Sequence, residues 1–272
     1  SITEKIEGII KKFYSSLGQE IPENKRGVKL SLLKLIPEHS GLGSGTQLAI
    51  TIGTLLCEFH NIPTDTHEIA YLFGRGARSG IGIATFDLGG FIIDGGLSNS
   101  SLIPPLLAHY DFPSTWKIVM IMEHQNQGVH GSEEIQAFTH LPTFPSSSSQ
   151  TICHLTLMKL LPALVEKQID SFGEAITEIQ TLIGDHFSPA QGGRYTSDHV
   201  AQLLHHAQTL GHTGIAQSSW GPTGCIFVEG NDAAQQLIEN LTQYSQQENI
   251  STLSLSITHA NSEGANIEIS SQ

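Results

Sequence analysis

Three glycines in five residues, within Ser40-Gly41-Leu42-Gly43-Ser44-Gly45-Thr46, constrain this chain more than any other stretch. Glycine accepts positive φ and lets backbone come close to another group, so such a cluster marks a turn that needs one or the other. The turn stands between an alternating segment, Val28-Lys29-Leu30-Ser31-Leu32, and a mostly apolar helical stretch from Thr46 to Phe59. Strand, glycine loop and helix in that order aim N–H groups at one point, and the helix start adds free donors. Ser44 and Thr46 add hydroxyls. This combination suits a phosphorylated small molecule; the plainer reading is a tight turn that only caps a helix. The loop is not a P-loop, because the Gly-Lys-Ser/Thr ending is absent.

Periodicity sets out the rest of a mixed α and β chain. Ile2, Ile6, Ile9, Ile10, Phe13 and Leu17 fall at helical spacing, so the chain opens inside an amphipathic helix over residues 2–17. Thr66 to Phe73, a long stretch over 151–183 with Pro162 at a start or kink, Ser197 to Thr209 and Asp232 to Tyr244 are also expected helices. Expected strands are Phe91 to Asp94 between glycine turns, Trp116 to Met122, Ile226 to Val228, and the alternating segments 252–258 and 266–270. Residues 145–150, rich in Pro and Ser, are expected as a loop.

Four more segments carry chemistry-bearing residues. Gly74 to Gly82 places Arg75 and Arg78 three apart among glycines, which suits a phosphate or carboxylate, or else two solvated arginines. Ser218-Ser219-Trp220-Gly221-Pro222-Thr223-Gly224-Cys225 is a polar glycine turn leading into a strand. It could close over the first loop, and Cys225 is the one cysteine beside such a turn. His130-Gly131-Ser132-Glu133-Glu134 joins an imidazole to two carboxylates, for a metal or a proton transfer, or as acids at a helix start. Gln191-Gly192-Gly193-Arg194 is another arginine in a glycine turn. Asp87 and Asp94 flank a glycine pair and are further candidate acids. No HExxH or similar spacing points to zinc.

Charge narrows the partners. A formal net charge of −13 makes nucleic acid and anionic membrane poor partners, since both need a basic surface. No apolar run reaches the roughly 18 residues that span a bilayer. Three cysteines without a CxxC pair fit reduced thiols in the cytoplasm. A homodimer is compatible with all of this.

Pro37-x-x-x-Gly41-Leu42-Gly43-Ser44 resembles the phosphate loop of the GHMP kinase superfamily, and Ser219-Trp220-Gly221-Pro222-Thr223 resembles its later glycine motif. Within it, the resemblance is closest to the beta-ribofuranosylaminobenzene 5′-phosphate synthase family. It is carried by GLGSGTQLA, GRGARSGIG, GGFIIDGG, GVHGSEE, LMKLLPALVE, FGEAITEIQ, QGGR and QSSWGPT, from residue 37 to about 228. The resemblance implies an α+β fold of two lobes. Residues 1–113 would form a ribosomal-S5-like lobe without the strand-rich segment with which the superfamily usually begins, and 114–272 a ferredoxin-like lobe.

The resemblance also implies a reaction: phosphoribosyl pyrophosphate (PRPP) joined through carbon to p-aminobenzoate or p-hydroxybenzoate, with release of carbon dioxide and pyrophosphate, in methanopterin synthesis. Magnesium is implied and an organic cofactor is not. The Ser40–Thr46 loop would hold phosphate. Arg75, Arg78, Asp94 and Glu133 would serve catalysis, with Glu133 and Glu134 as magnesium ligands. His130, Glu134, Gln191, Arg194, Ser219, Trp220, Gly221 and Thr223 would line the substrate. Many kinases of the superfamily read S-G-I-D where this chain has Ser79-Gly80-Ile81-Gly82, so their catalytic acid is replaced by Gly82. An ATP-dependent kinase would need Asp87 or Asp94 in its place. A non-catalytic ligand-binding member of the fold is the other alternative.

Overall fold

The structure is a computed structural model that describes residues 1–98, 101–124 and 141–270. Two compact units divide it. The first holds Ser1–Ile36, Gly43–Asp111 and Asn261–Gln272, the second Pro37–Leu42 and Phe112–Ala260. The main crossing falls within two residues of the expected cut at 113, but a single cut is corrected twice. Residues 37–42 join the second unit because Gly41 is seated on its backbone. The C-terminal segment joins the first because Gly90 N–H donates to Asn261 O at 2.7 Å and Ala265 N–H to Phe86 O at 2.6 Å.

In the first unit, helix α1 (Ile2–Tyr14) starts on a Ser1/Glu4 capping box. It packs on α2 (Ser44–His60) and α3 (Thr66–Leu72) through Phe13, Tyr14, Ile52, Leu56, Cys57 and Ile69. A Cβ at Gly53 would come within 2.4 Å of Ile69 Cγ2, so this glycine sets how closely α3 lies on α2. Helix α4 (Ile81–Leu88) buries Ile83 and Phe86 beside Ile50 and Ala70. Strands β1 (Phe91–Asp94) and β2 (Leu106–Tyr110) pair antiparallel.

Val28–Leu32 is extended but has no ladder partner among the described residues, so the expected strand is corrected to a segment whose Val28 and Leu30 lean on the helices. The 266–270 segment likewise has no ladder there. Of its two isoleucines, Ile267 packs against the α2–α4 cluster and Ile269 is exposed.

The second unit is built on an antiparallel sheet of β3 (Trp116–Glu123), β4 (Gly214–Gln217), β5 (Thr223–Glu229) and β6 (Leu253–Thr258), in the order β4-β5-β3-β6. With helices between β3 and β4 and between β5 and β6, this is the split βαβ arrangement of ferredoxin-like lobes. The 145–150 loop is corrected to the start of α5 (Ser146–Leu155), where Pro145 precedes the first turn and the Ser149 hydroxyl donates back to Pro145 O at 3.4 Å. A π-helical turn at Thr156–Leu160, in which Leu161 N–H donates to Thr156 O, leads into α6 (Leu161–Val165), and Pro162 at its start has no N–H to continue that pattern. Helices α7 (Ile169–Gln191), α8 (Asp198–Thr209) and α9 (Asn231–Gln247) complete the unit.

Val119 and Ile121 of β3 meet Val200, Leu203, Leu204 and Ala207 of α8 and Ala234, Leu237 and Leu241 of α9. Each fully buried leucine here is worth about 1.5–3 kcal/mol relative to exposure.

Candidate functional site

The glycine loop is divided by the unit boundary, and each half has its own geometry. In the second unit, Pro37–Leu42 is seated on the turn between β4 and β5. Gly41 has φ +81°, and a Cβ there would lie 1.9 Å from Ser218 O. The reverse contact is as tight: a Cβ on Gly221 would lie 2.1 Å from Ser40 C and 2.2 Å from Gly41 N. Real Cβ atoms do not come within 3.0 Å of such neighbours, so the two glycines permit a backbone-on-backbone seat that no other residue allows. The Ser218 hydroxyl donates to Gly41 O at 3.0 Å, and the buried Ser40 hydroxyl donates to Pro37 O at 2.7 Å.

In the first unit, Gly43 caps α2 with φ +71° and no side-chain cap. Its carbonyl accepts from Thr46 N–H at 3.0 Å and Gln47 N–H at 3.1 Å. The N–H groups of Ser44 and Gly45 have no partner among the described residues. They are the free donors a helix start leaves. Arg75 lies beside them, with Nη1 3.2 Å from where a Cβ of Gly45 would stand. A Schellman closure of α3 fixes its backbone: Gly74 N–H donates to Tyr71 O at 2.9 Å and Arg75 N–H to Ala70 O at 2.7 Å. The exposed Arg75 guanidinium has no hydrogen-bond or ion-pair partner among the described residues. Two free amides, the positive end of a helix and an unpaired guanidinium thus share one spot, as an oxyanion requires.

The GHMP kinases N terminal domain matches residues 4–90 and the GHMP kinases C terminal domain residues 160–246. The beta-ribofuranosylphenol 5′-phosphate synthase of Archaeoglobus fulgidus is 33% identical over 256 residues, 90% of this chain and 77% of that protein. The chain belongs to this synthase family of the GHMP kinase superfamily. The protein of the same name from Methanothermobacter thermautotrophicus is 35% identical over 201 residues, 69% of this chain. The chain spans 60% of that relative's length, and 63% of the one from Methanocaldococcus jannaschii.

Homoserine kinase from Cytophaga hutchinsonii superposes with a TM-score of 0.64 at 17% identity, covering 96% of this chain and 77% of that one. Mevalonate diphosphate decarboxylase from Staphylococcus aureus does so with 0.58 at 15% identity, covering 96% and 76%. These likenesses establish the fold. A kinase and a decarboxylase share it, so the chemistry is set by side chains at the site.

The side chains of this family member separate into ligand candidates and supports. Gly82 lies in the first turn of α4, facing α2: a Cβ there would be 3.1 Å from Thr46 Cγ2, and Gln47 Nε2 donates to Gly82 O at 2.7 Å. A carboxylate at position 82 would stand at the start of α2, and this chain has none. Neither alternative acid replaces it. Asp87 accepts from the Thr66 hydroxyl at 2.7 Å. Asp94 is filled by three donors: Ser79 Oγ and Gly80 N–H at 2.9 Å each and Gly96 N–H at 3.1 Å. A carboxylate so engaged holds the Ser79–Gly80 turn that leads into α4.

Accordingly, Asp94→Ala should cost about 1–2 kcal/mol of stability in urea unfolding, as leaving hydrogen-bond donors without their acceptor does. Asp94→Asn, which keeps an acceptor oxygen, should retain most ligand affinity. A folded Asp94→Asn protein without activity would instead assign Asp94 a catalytic role.

Other expected ligands have partners. Arg194 forms a two-pronged pair with Asp185, Nε at 2.7 Å and Nη2 at 3.0 Å, and that hydrogen bond raises its pKa. Gln191 Nε2 donates to Arg194 O at 2.9 Å, which closes the turn after α7. Both brace the unit. Trp220 is largely buried, its ring set edge-on to Phe187 at 4.8 Å. Thr223 is fully buried, with its hydroxyl unpartnered among the described residues, so it does not face solvent. Ser219 is exposed with φ 55° and its carbonyl accepts from Gln217 Nε2 at 2.8 Å. Burial pushes the Cys225 thiol up to about 12, which removes it as a nucleophile at neutral pH.

Arg78 is exposed. His130, Glu133 and Glu134 lie outside the described residues. Among the described residues no three His, Cys, Asp or Glu side chains come together for a metal, so they do not themselves form a magnesium cage.

One pair had no place in the sequence reading. Glu123, buried at the end of β3, meets His199 Nδ1 at 3.0 Å. A signal existed: Val119, Ile121 and Glu123 continue one buried face of β3, so the alternation carries a carboxylate inward.

Proposed function

We propose that the chain is the catalytic fold of a synthase that joins PRPP to a p-substituted benzoate through carbon, releasing carbon dioxide and pyrophosphate. The observation that carries this reading is the start of α2, where an anion socket of Ser44 N–H, Gly45 N–H and Arg75 faces Gly82 rather than an acid. The printed name of the relatives, a ribofuranosylphenol phosphate synthase, supports the phenol-forming acceptor, p-hydroxybenzoate.

The socket takes phosphate oxygens of PRPP. As the anomeric bond breaks, positive charge grows on the ribose and negative charge on pyrophosphate, and donors already in place stabilise that change without reorganising. The ring carbon bearing the carboxylate attacks the anomeric carbon, and loss of carbon dioxide restores aromaticity. No proton has to be taken from a phosphoryl acceptor's hydroxyl, so a carboxylate at position 82 is not needed. Magnesium, when bound, would add charge to the leaving pyrophosphate; ions of this kind commonly ride on substrate phosphates with few protein ligands. The product is an early intermediate of methanopterin synthesis.

The test is isotopic. With PRPP, magnesium and carboxyl-labelled p-hydroxybenzoate, the folded protein should release labelled carbon dioxide in step with pyrophosphate. Release no faster than background with both p-hydroxybenzoate and p-aminobenzoate, or ATP consumption instead, overturns the reading.

A further inference from the structure

Gly45 is a glycine that its own backbone does not call for. It stands second in α2, and its φ lies outside the left-handed region that Gly43 occupies at +71°. Alanine at that position would favour the helix, since glycine is among the poorest helix formers. What fills the space of the missing side chain is Arg75. Beyond the chain neighbours and the backbone of α2, the nearest atoms to the place of a Gly45 Cβ are Arg75 Nη1 at 3.2 Å and Cζ and Nη2 at 3.4 Å each. Two nitrogens and the carbon between them at nearly one distance mean that the guanidinium turns its flat face, not its N–H edge, to Gly45. A guanidinium stacked in this way uses none of its donors on the surface it covers. Those donors have no acceptor among the described residues, and they run past the free N–H groups of Ser44 and Gly45.

The first unit brings Arg75 to this spot through two further glycines. Gly53, about two turns along α2, lets α3 lie close, for a Cβ there would be 2.4 Å from Ile69 Cγ2 and 2.8 Å from Phe73 Cε2. Arg75 N–H then donates to Ala70 O at 2.7 Å, so the backbone leaves α3 in a fixed direction. Gly76 continues the turn with φ +82°, and a Cβ there would be 2.7 Å from Ile83 Cδ1. One glycine sets the helix spacing, one closes the turn, and Gly45 receives the side chain that the other two deliver.

We propose that Gly45 is the positioning residue of Arg75: its bare Cα is the platform on which the guanidinium lies flat, holding N–H donors beside the start of α2 for the phosphate oxygens of the substrate. This deepens the synthase reading above and rests on it. A methyl at position 45 would meet the end of a flexible side chain, so the guanidinium gives way or turns aside at little cost to the fold. The helix gains at the same time. Stability and phosphate affinity therefore move in opposite directions, which a glycine kept only for packing would not produce.

The experiment measures binding of inorganic pyrophosphate by titration calorimetry, with thermal melts, for the unaltered protein, Gly45→Ala, Arg75→Ala and the double variant. Gly45→Ala should melt about 2 °C higher. It should bind pyrophosphate about tenfold more weakly, the size of one weakened charge-assisted hydrogen bond. In the Arg75→Ala background the same methyl should cost at most about twofold, because it then displaces nothing. An ammonium has no flat face to seat, so in the Arg75→Lys background its cost should be equally small.

Unchanged affinity in Gly45→Ala, an equal loss with and without Arg75, or a lowered melting temperature overturns the inference and leaves the socket standing. No pyrophosphate binding by the unaltered protein removes the socket and this inference with it. Pyrophosphate binding by a protein that releases no carbon dioxide from either aromatic acid overturns the synthase reading alone.

Discussion

Replacing Gly221 by alanine is expected to lower activity about a thousandfold, because the damage falls on the backbone that presents the loop. The new Cβ would lie 2.1 Å from Ser40 C and 2.2 Å from Gly41 N, and neither atom is the flexible end of a side chain. The loop segment has to lift off. Forcing one methyl into a closed contact usually costs about 1–3 kcal/mol, so the second unit should stay folded with a lowered melting temperature. A displacement of about 1 Å near reacting groups alone costs around a hundredfold. Here the segment leads directly into Gly43, the cap of α2, and the losses compound. Gly41→Ala should behave alike, with its Cβ 1.9 Å from Ser218 O and the added strain of φ +81°. Gly43→Ala is the control. It has nothing within 4 Å of its Cβ, so its penalty is that of positive φ alone, about 1 kcal/mol. Activity assays with thermal melts separate these cases; near-normal turnover in Gly221→Ala would show that the seat does not matter.

Arg75→Ala is expected to lower kcat/KM several hundredfold while leaving stability nearly unchanged. The two effects separate because Arg75 is exposed and has no partner among the described residues, so the fold loses no bond with it. Removing a preorganised donor from a site of developing negative charge typically costs 10²–10³ in rate, about 3–4 kcal/mol. Arg75→Lys should recover only part, since an ammonium lacks the planar fork. Arg194→Ala should show the opposite pattern. It breaks the Asp185 pair, measured as a lower melting temperature with kcat/KM largely kept. If Arg75→Ala lost stability and kept activity, the socket at α2 would be misassigned.

Elements with a local cause were legible in the sequence. The α1 spacing of Ile6, Ile9, Ile10 and Phe13, and the run from Ser44 to His60 with Gly at its start, each reflect one helix face or one cap. β3 was legible because its buried positions alternate. β2 and β4 were not, because Leu106–Tyr110 and Gly214–Gln217 are strands only through partners far along the chain. Val28–Leu32 shows the converse, an alternation with no ladder among the described residues.

The site divides in the same way. Gly41, Gly43 and Gly221 were legible as turn chemistry, though not that Gly41 and Gly221 meet each other. Arg75 and Arg194 looked alike, both set among glycines. Only the fold distinguishes a guanidinium beside a bare helix start from one locked to Asp185 nine residues earlier. Asp94 shows the same limit: a carboxylate in a glycine turn suits catalysis and turn support equally, and the three donors that engage it are visible only in the fold.

The start of α4 bears on anion binding. Gly80 N–H already donates to Asp94 and Ile81 N–H to the Ser79 hydroxyl, whereas Ser44 N–H and Gly45 N–H at the start of α2 have no partner among the described residues. An added oxyanion meets a tethered competitor before the first of these helices and open donors at the second, so titration of this pair should saturate at a single anion.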